Sequence, residues 1–345
     1  MYSNTVLKLN TRVNVIEVDA DKLCLYRGPT DSRLFFEGLS VKLINALKDG
    51  ATRDELLCFL SGAGDSGRKL DSFILKLEDF GFLNTSKKSS SNNPIYVFPN
   101  PDSISRNIAG VFRIMPGRLV LFLALVLVFF SSWYCLDKVS LSYYSSESLV
   151  ERFSYWAILL IFFVWIPIHE MGHAITASYF GVKINQAGVL IANGYFPNFK
   201  FFISTQESIK LKDPLKQSLI SLAGPITDCF LFASTLFVAS VYSGSVLGDV
   251  FYTLSVFAIL IVLVNLNPFS NTDGAAFFKN ILNENNLLTK SLSLGYFKGK
   301  GGKAVFLYRI YCVVFLVVVV NLAVIGFDLT EEIVQIYMPK PNVTL

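Results

Sequence analysis

The chain has 345 residues, 52% of them hydrophobic and only 16% charged; soluble domains average about a quarter charged, so an ordinary soluble protein is excluded. The net charge of +4 comes from 30 Lys and Arg against 26 Asp and Glu, with no basic stripe of the kind that binds nucleic acid. Five scattered cysteines without a CxxC pair argue against a disulfide framework and a cysteine zinc site and suit small buried hydrophobes.

The first hundred residues are mixed and polar and the rest is dominated by apolar runs, giving a mean hydropathy of +0.50. That contrast divides the chain into a small soluble domain and a membrane domain. Residues 1–85 read as a compact α+β unit, with short strand candidates at 14–18 and 23–26. Ser40 can cap a helix that ends at Asp49-Gly50, and Thr52 with Glu55 makes a capping box for a second. A third helix carries Leu70, Phe73, Ile74, Leu77 and Phe80 on one face and stops at Gly81. Residues 86–93 are polar, and 86–108 read as a flexible linker to a membrane-embedded domain over 109–345. The polar N-terminus shows no signal-type hydrophobic region and is expected to stay in the cytoplasm.

Five segments are long enough to cross about 30 Å of hydrocarbon: 119–136, 153–180, 218–242, 250–268 and 304–327. Five crossings put the termini on opposite sides. Arg113 and Arg118 precede the first segment. Lys183, Lys200, Lys210, Lys212 and Lys216 lie between the second and third, and Lys279, Lys290, Lys298, Lys300 and Lys303 between the fourth and fifth. The positive-inside rule then places the N-terminus in the cytoplasm and the C-terminus across the cell membrane.

The second segment holds the chain's only two histidines, in His169-Glu170-Met171-Gly172-His173. On a helix this spacing puts both imidazoles on one face, where they can share a zinc ion, with Glu170 placed to take a proton from water. A surface helix that happens to carry these residues is the alternative. Within a bilayer no water solvates them, and ionisable groups there are functional candidates. Counted from position 153, His169 lies roughly 24 Å along the helix, nearer the cytoplasmic face.

Residues 182–203 are too broken for a crossing. Ala187–Ala192 and Tyr195-Phe196 flank Asn193-Gly194, a type I′ hairpin signal. Such a hairpin beside the metal can offer an unpaired edge to an extended peptide; a plain interfacial loop is the alternative.

Catalytic zinc usually takes three protein ligands, and with no third histidine a carboxylate is needed. Two compete: Asp228, after Ala223-Gly224-Pro225, and Asp273, which closes Asn265-Leu266-Asn267-Pro268-Phe269-Ser270-Asn271-Thr272-Asp273 before Gly274. Counted from Lys216, Asp228 sits roughly 18 Å into the membrane, about 12 Å too deep to meet the histidines; a polar contact between helices is its expected role. Asp273 lies near the inner boundary, and Pro268 can unwind the helix so that the chain turns back toward the metal. An ordinary Asp-Gly turn is the alternative for Asp273. Asn267 can hydrogen-bond a substrate backbone or a developing oxyanion, or cap the broken helix.

Taken together, the histidine pentapeptide, Asn265 to Pro268 and Asp273-Gly274 resemble the site-2 protease class (M50-type) of membrane zinc metallopeptidases, and most nearly its peptide zinc metalloprotease branch, over roughly residues 155–280. Ala223-Gly224-Pro225 fits the same pattern. The resemblance implies that His169, His173 and Asp273 bind one Zn2+ per chain, that Glu170 is the general base, and that a membrane-associated β-hairpin accompanies them. Asn271-Thr272 before the Asp-Gly pair and Ala275-Ala276 after it depart from the apolar or aromatic residues usual there, which bears on substrate shape. Residues 1–85 are similar, at the level of element pattern, to PqqD-like winged-helix domains, which capture a precursor's leader peptide by strand addition. A DNA-binding winged helix is the alternative, but Lys69, Lys76, Glu78 and Asp79 on the third helix are too balanced for phosphate.

The expected architecture is a multi-pass α-helical membrane protein with a small N-terminal α+β winged-helix-like domain. The expected activity is zinc-dependent hydrolysis of a peptide bond, in maturation or export of a ribosomally made, bacteriocin-like peptide, with a peptide-export transporter as a further partner. Two alternatives stand: regulated cleavage of a membrane-anchored signalling protein, and a non-catalytic peptide-binding or immunity protein. The intact Glu170 argues against the last, because structural zinc needs no base.

Overall fold

The computed structural model describes residues 6–10, 13–26, 34–60, 66–84, 94–114, 151–192, 198–284, 286–293 and 302–337, with single positions between 119 and 133. It divides into two units, Met1–Pro101 with Ile184–Lys210, and Asp102–Lys183 with Leu211–Leu345.

In the first unit, β1 (Asn14–Asp19), β2 (Lys22–Tyr26) and β3 (Leu34–Glu37) form an antiparallel sheet in that order. The alternation of a strand, with both faces covered, explains why β2 is buried from Leu23 to Tyr26. Leu23 and Leu25 enter the main core, while Cys24 and Tyr26 pack with Ile16 and Ile209. β3 has no counterpart in the sequence reading. Helices α1 (Leu39–Asp49), α2 (Arg53–Cys58) and α3 (Ser66–Asp79) contribute Ile44, Leu47, Leu56, Leu70, Ile74 and Leu77 to the same core. Ser40 does not cap α1. The N-cap is Gly38, whose φ of +61° is left-handed, a turn that a glycine makes without strain. The α2 capping box is present, with the Glu55 amide donating to Thr52 Oγ1 and the Thr52 amide to Glu55 Oε2. On α3 the fully buried stripe is Leu70, Ile74 and Leu77; Phe80 is 39% exposed and stacks on Phe82. Of the cysteines, Cys24 is buried and Cys58 exposed.

The first unit also holds a second antiparallel sheet, ordered β4 (Pro94–Val97), β5 (Ala187–Ala192) and β6 (Asn198–Ile203). It changes two expectations. The paired register runs from Ala187 with Ile203 to Ala192 with Asn198; Asn193-Gly194 and Tyr195-Phe196 lie outside the described residues. One edge of the hairpin is taken by the chain's own residues 94–97. Gly188 permits this, since a Cβ there would lie 2.1 Å from the Tyr96 carbonyl oxygen. The stretch read as a linker over 86–108 is therefore regular from Pro94 onward, as β4 and then α4 (Pro101–Arg113); residues 86–93 lie outside the described residues.

The second unit is helical: α4, α5 (Tyr155–Tyr179), α6 (Pro214–Val241), α7 (Val246–Asn265), α8 (Asp273–Ile281), α9 (Leu287–Leu292) and α10 (Gly302–Tyr337). Among the described residues α5, α6, α7 and Gly302–Ala323 of α10 are long and apolar enough to cross a membrane. They fall on the second to fifth expected segments; the first, 119–136, lies outside the described residues except at single positions. Val313, Val317 and Val320 on α10 are each more than half exposed, which suits a lipid surround and not water. Ala157, Ile161 and Trp165 of α5 pack on Val250, Leu254 and Ala258 of α7. At the N-terminal end of this pair Arg152 Nε donates to Asp249 Oδ1 at 3.0 Å and the guanidinium lies over the Tyr252 ring. At the other end of α5, Ser178 Oγ donates to Ser105 Oγ of α4 at 2.8 Å, and Arg113 donates to the Ser178 carbonyl.

Candidate metal centre

The site begins with a local irregularity in α5. Pro167 lacks the N–H that would bond the carbonyl four residues earlier, and its ring crowds that carbonyl. The helix absorbs this as a π turn over Ile161–Trp165, a distortion common at functional sites. Regular helix then resumes through His169, Glu170 and His173.

α6 crosses α5 on small residues. A Cβ on Gly172 would lie 2.4 Å from Thr227 Oγ1 and 3.0 Å from the Ala223 carbonyl oxygen. One on Gly224 would lie 2.4 Å from both His169 Cε1 and His173 Nε2. Close backbone approach of this kind is how helices associate where water supplies no hydrophobic drive. The Ala223-Gly224-Pro225 segment thus backs directly onto the imidazoles.

α7 ends at Asn265, and six residues on from the Leu266 cap, Thr272 caps α8, accepting the Ala275 amide and donating to the Asn267 carbonyl at 2.6 Å. Asp273 is the first residue of α8. The carbonyls released by the break find donors on α10: Tyr308 Oη donates to Pro268 at 2.7 Å and Tyr311 Oη to Leu266. Backbone groups away from water must be paired in some such way.

The hydrogen bonds fix both imidazole tautomers. His173 Nδ1 lies 2.7 Å from the Ile220 carbonyl oxygen, and His169 Nδ1 lies 2.8 Å from Asp228 Oδ2. A carbonyl and a carboxylate only accept, so each ring carries its proton on Nδ1 and presents a lone pair at Nε2. Those two Nε2 atoms are 3.3 Å apart and lie 3.1 and 3.2 Å from Asp273 Oδ2. Three lone-pair-bearing atoms this close repel one another unless protons or a cation sit among them.

The spacing favours a cation. Tetrahedral zinc with nitrogen and oxygen ligands at about 2.0–2.1 Å sets neighbouring donors about 3.3 Å apart, so the three atoms match one face of that tetrahedron. His169, His173 and Asp273 form a group able to hold a metal ion, and two imidazoles with one carboxylate leave a fourth position for water or substrate. The imidazoles are 9% and 11% exposed and the Asp273 side chain 28%. The group is therefore reached past Asp273 and closed behind by α6.

Glu170 follows His169 on α5 and is half-buried. Asn267 caps the broken helix: its Oδ1 accepts the Phe269 amide at 2.9 Å, and among the described residues no hydrogen bond joins it to the imidazoles. Asp228 requires a correction. It is not about 12 Å from the histidines but touches His169. A depth counted from position 153 along the helix sets the histidines and Asp228 too far apart. Counted back from the helix end at Tyr179, His169 is roughly 15 Å in, within reach of Asp228. Sequence reasoning does not single out Trp165, whose Nε1 donates to Asp228 Oδ1 at 2.8 Å, and takes Asn265 only as part of a motif, whereas its Nδ2 donates to Asp228 Oδ2 at 2.8 Å. A readable signal existed for Trp165, which lies four residues before His169 and so on the same helix face.

Residues 157–249 match the family model for Peptidase family M50. That window takes in both histidines, Glu170 and Asp228 and ends before Asn265 and Asp273. A zinc metalloprotease of Methanocaldococcus jannaschii is 27% identical to this chain over 155 residues, 44% of the chain and 42% of the relative. The chain thus spans about two fifths of the length of that curated relative. No solved structure matches. Both similarities concern metallopeptidases, and the apolar helices agree with a multi-pass membrane protein.

Proposed function

We propose that the chain is a membrane-embedded zinc endopeptidase in which His169, His173 and Asp273 hold one metal ion and Glu170 is the general base. The observation that carries this reading is the triangle of His169 Nε2, His173 Nε2 and Asp273 Oδ2, with sides of 3.1 to 3.3 Å, within the helices that match a peptidase family. Zinc held there would lower the pKa of a bound water and polarise a substrate carbonyl. Glu170 takes the proton of the attacking water and delivers it to the leaving amine. Asn267, its oxygen engaged by Phe269, offers its NH2 group to the substrate carbonyl.

The uneven distribution of Lys and Arg supports a cytoplasmic N-terminus and substrate access from that side. The first unit supports a peptide-binding role. β3 and β6 are edge strands in their sheets, and an extended peptide can add to such an edge. A strand, unlike a helix, leaves its carbonyls open to attack. We therefore read the substrate as a peptide, and maturation of a small ribosomally made product as the biological role.

The test compares cells carrying the wild-type chain with cells carrying Glu170→Gln, by mass spectrometry of small peptides and zinc analysis of the purified proteins. The expected result is stoichiometric zinc in both and a peptide that accumulates uncut only in the variant. Loss of cleavage of a membrane-anchored regulator instead would replace maturation with signalling. Processing that persists in the variant would remove Glu170 from its role.

A further inference from the structure

We infer that Asp228 is a positioning residue of the metal centre, one that sets the tautomer and orientation of His169; the inference rests on the zinc reading above. Asp228 is fully buried midway along an apolar helix, where an acidic group is costly unless its oxygens are satisfied. Here both are. Trp165 Nε1 donates to Oδ1, and Asn265 Nδ2 and His169 Nδ1 converge on Oδ2, each at 2.8 Å. The indole nitrogen is a donor only, and the Asn265 amide must turn its NH2 group toward a carboxylate. With two donors fixed from α5 and α7, the carboxylate acts solely as an acceptor, and the His169 proton is held on Nδ1.

The two histidines differ in this respect. His173 is oriented by a neutral backbone carbonyl, whereas His169 is oriented by a carboxylate, which makes the ring a stronger donor through Nε2. The network also draws on three helices. Trp165 and His169 come from α5, Asp228 from α6 and Asn265 from α7, so the metal-facing geometry of His169 depends on all three being packed together. Asp273 reaches the same point from α8. Asp228 therefore acts through His169 and does not touch the reacting atoms.

An Asn at position 228 keeps the shape and reverses the logic. Trp165 requires an acceptor at the Oδ1 position, so the new NH2 group falls at the Oδ2 position; the Asn265 amide, which now meets a donor there, turns its Oδ1 to accept one N–H, and the other N–H is donated to His169 Nδ1. The ring proton then moves to Nε2, where it blocks the metal. Only two histidines are present, so a nitrogen spectrum of the protein labelled with 15N-histidine contains two rings. In the metal-free, detergent-solubilised full chain, at a pH where the rings are neutral, both are expected as Nδ1–H in the wild type and one as Nε2–H in Asp228→Asn. Competition against a chelating indicator should show zinc affinity falling about 10- to 100-fold in that variant. Trp165→Phe, which leaves the Asp228 to His169 bond in place, should keep both Nδ1–H tautomers.

An Asp228→Asn protein with wild-type tautomers and zinc affinity overturns the inference. So does a Trp165→Phe protein that shifts the tautomer as far as Asp228→Asn, since packing alone would then explain the effect. If Asp228→Asn does not fold, the wild-type spectrum decides, because an Nε2–H ring in it contradicts the proposed role. A wild-type chain that takes up no zinc defeats the proposed function, while the spectrum still scores Asp228 separately.

Discussion

The two units differ in the polar groups they bury beside their apolar side chains. The first closes over aliphatic side chains, among them Leu25, Ile44, Leu47, Leu56, Leu70, Ile74 and Leu77, all fully buried. The second exposes valines and leucines and buries His169, His173, Asp228, Ser218 and Ser255. In water, removal of apolar surface holds a core together. Among lipid tails that drive is absent, so the helices of the second unit are held by close contact at Gly172 and Gly224 and by hydrogen bonds. A glycine in one unit thus does the work of a leucine in the other.

The largest effects should come from the polar centre of the second unit. Gly224→Val drives a side chain into both imidazoles and is expected to abolish zinc binding and cleavage together, measured by metal analysis and a peptide assay. Glu170→Gln should separate them, with zinc retained and cleavage reduced about 100- to 10,000-fold. In the first unit, Ile74→Ala leaves a hole in an aliphatic core and should cost about 2–5 kcal/mol of that unit's stability. Zinc content should not change; if it falls in parallel, the two units do not fail independently. Tyr308→Phe removes one hydrogen bond from the broken segment before Asp273 and should cost about 1 kcal/mol, seen as a small drop in thermal midpoint.

The smallest effect is an acid one. The Arg53 guanidinium, bonded to both Asp71 oxygens at 2.8 and 3.0 Å, holds that carboxyl below its ordinary value of 3.8. The pair therefore stabilises the folded unit fully above 3.8 and loses that contribution as pH falls through the lower folded value. Hydrogen exchange in α2 and α3 should quicken over that window, and less so in Asp71→Asn. The pair is partly exposed and solvent-screened, so the change is small.

Much of this organisation was legible in the sequence. The Thr52 and Glu55 box, the α3 stripe and four apolar spans rest on local periodicity and capping, which neighbouring residues alone determine. The pairing of His169 with His173 rests on helix spacing and was equally readable. β3 was not, because its four residues carry little pattern and its pairing comes from β2. The capture of β5 by residues 94–97 was missed for a similar reason: a contact across some ninety residues leaves no local trace.

Asp228 marks the boundary most clearly. Its presence in an apolar segment, and the cost of placing it there, were set by the chain alone. Which group it satisfies was decided by how α5, α6 and α7 pack. Helix depth counted from an assumed membrane edge accumulates error at 1.5 Å per residue, whereas a hydrogen bond is made or lost within a few tenths of an ångström. The sequence by itself therefore determined the residue types and their helical phases. Only tertiary packing, through the small residues that let backbones meet, decided that the four polar side chains His169, His173, Asp228 and Asp273 share one point.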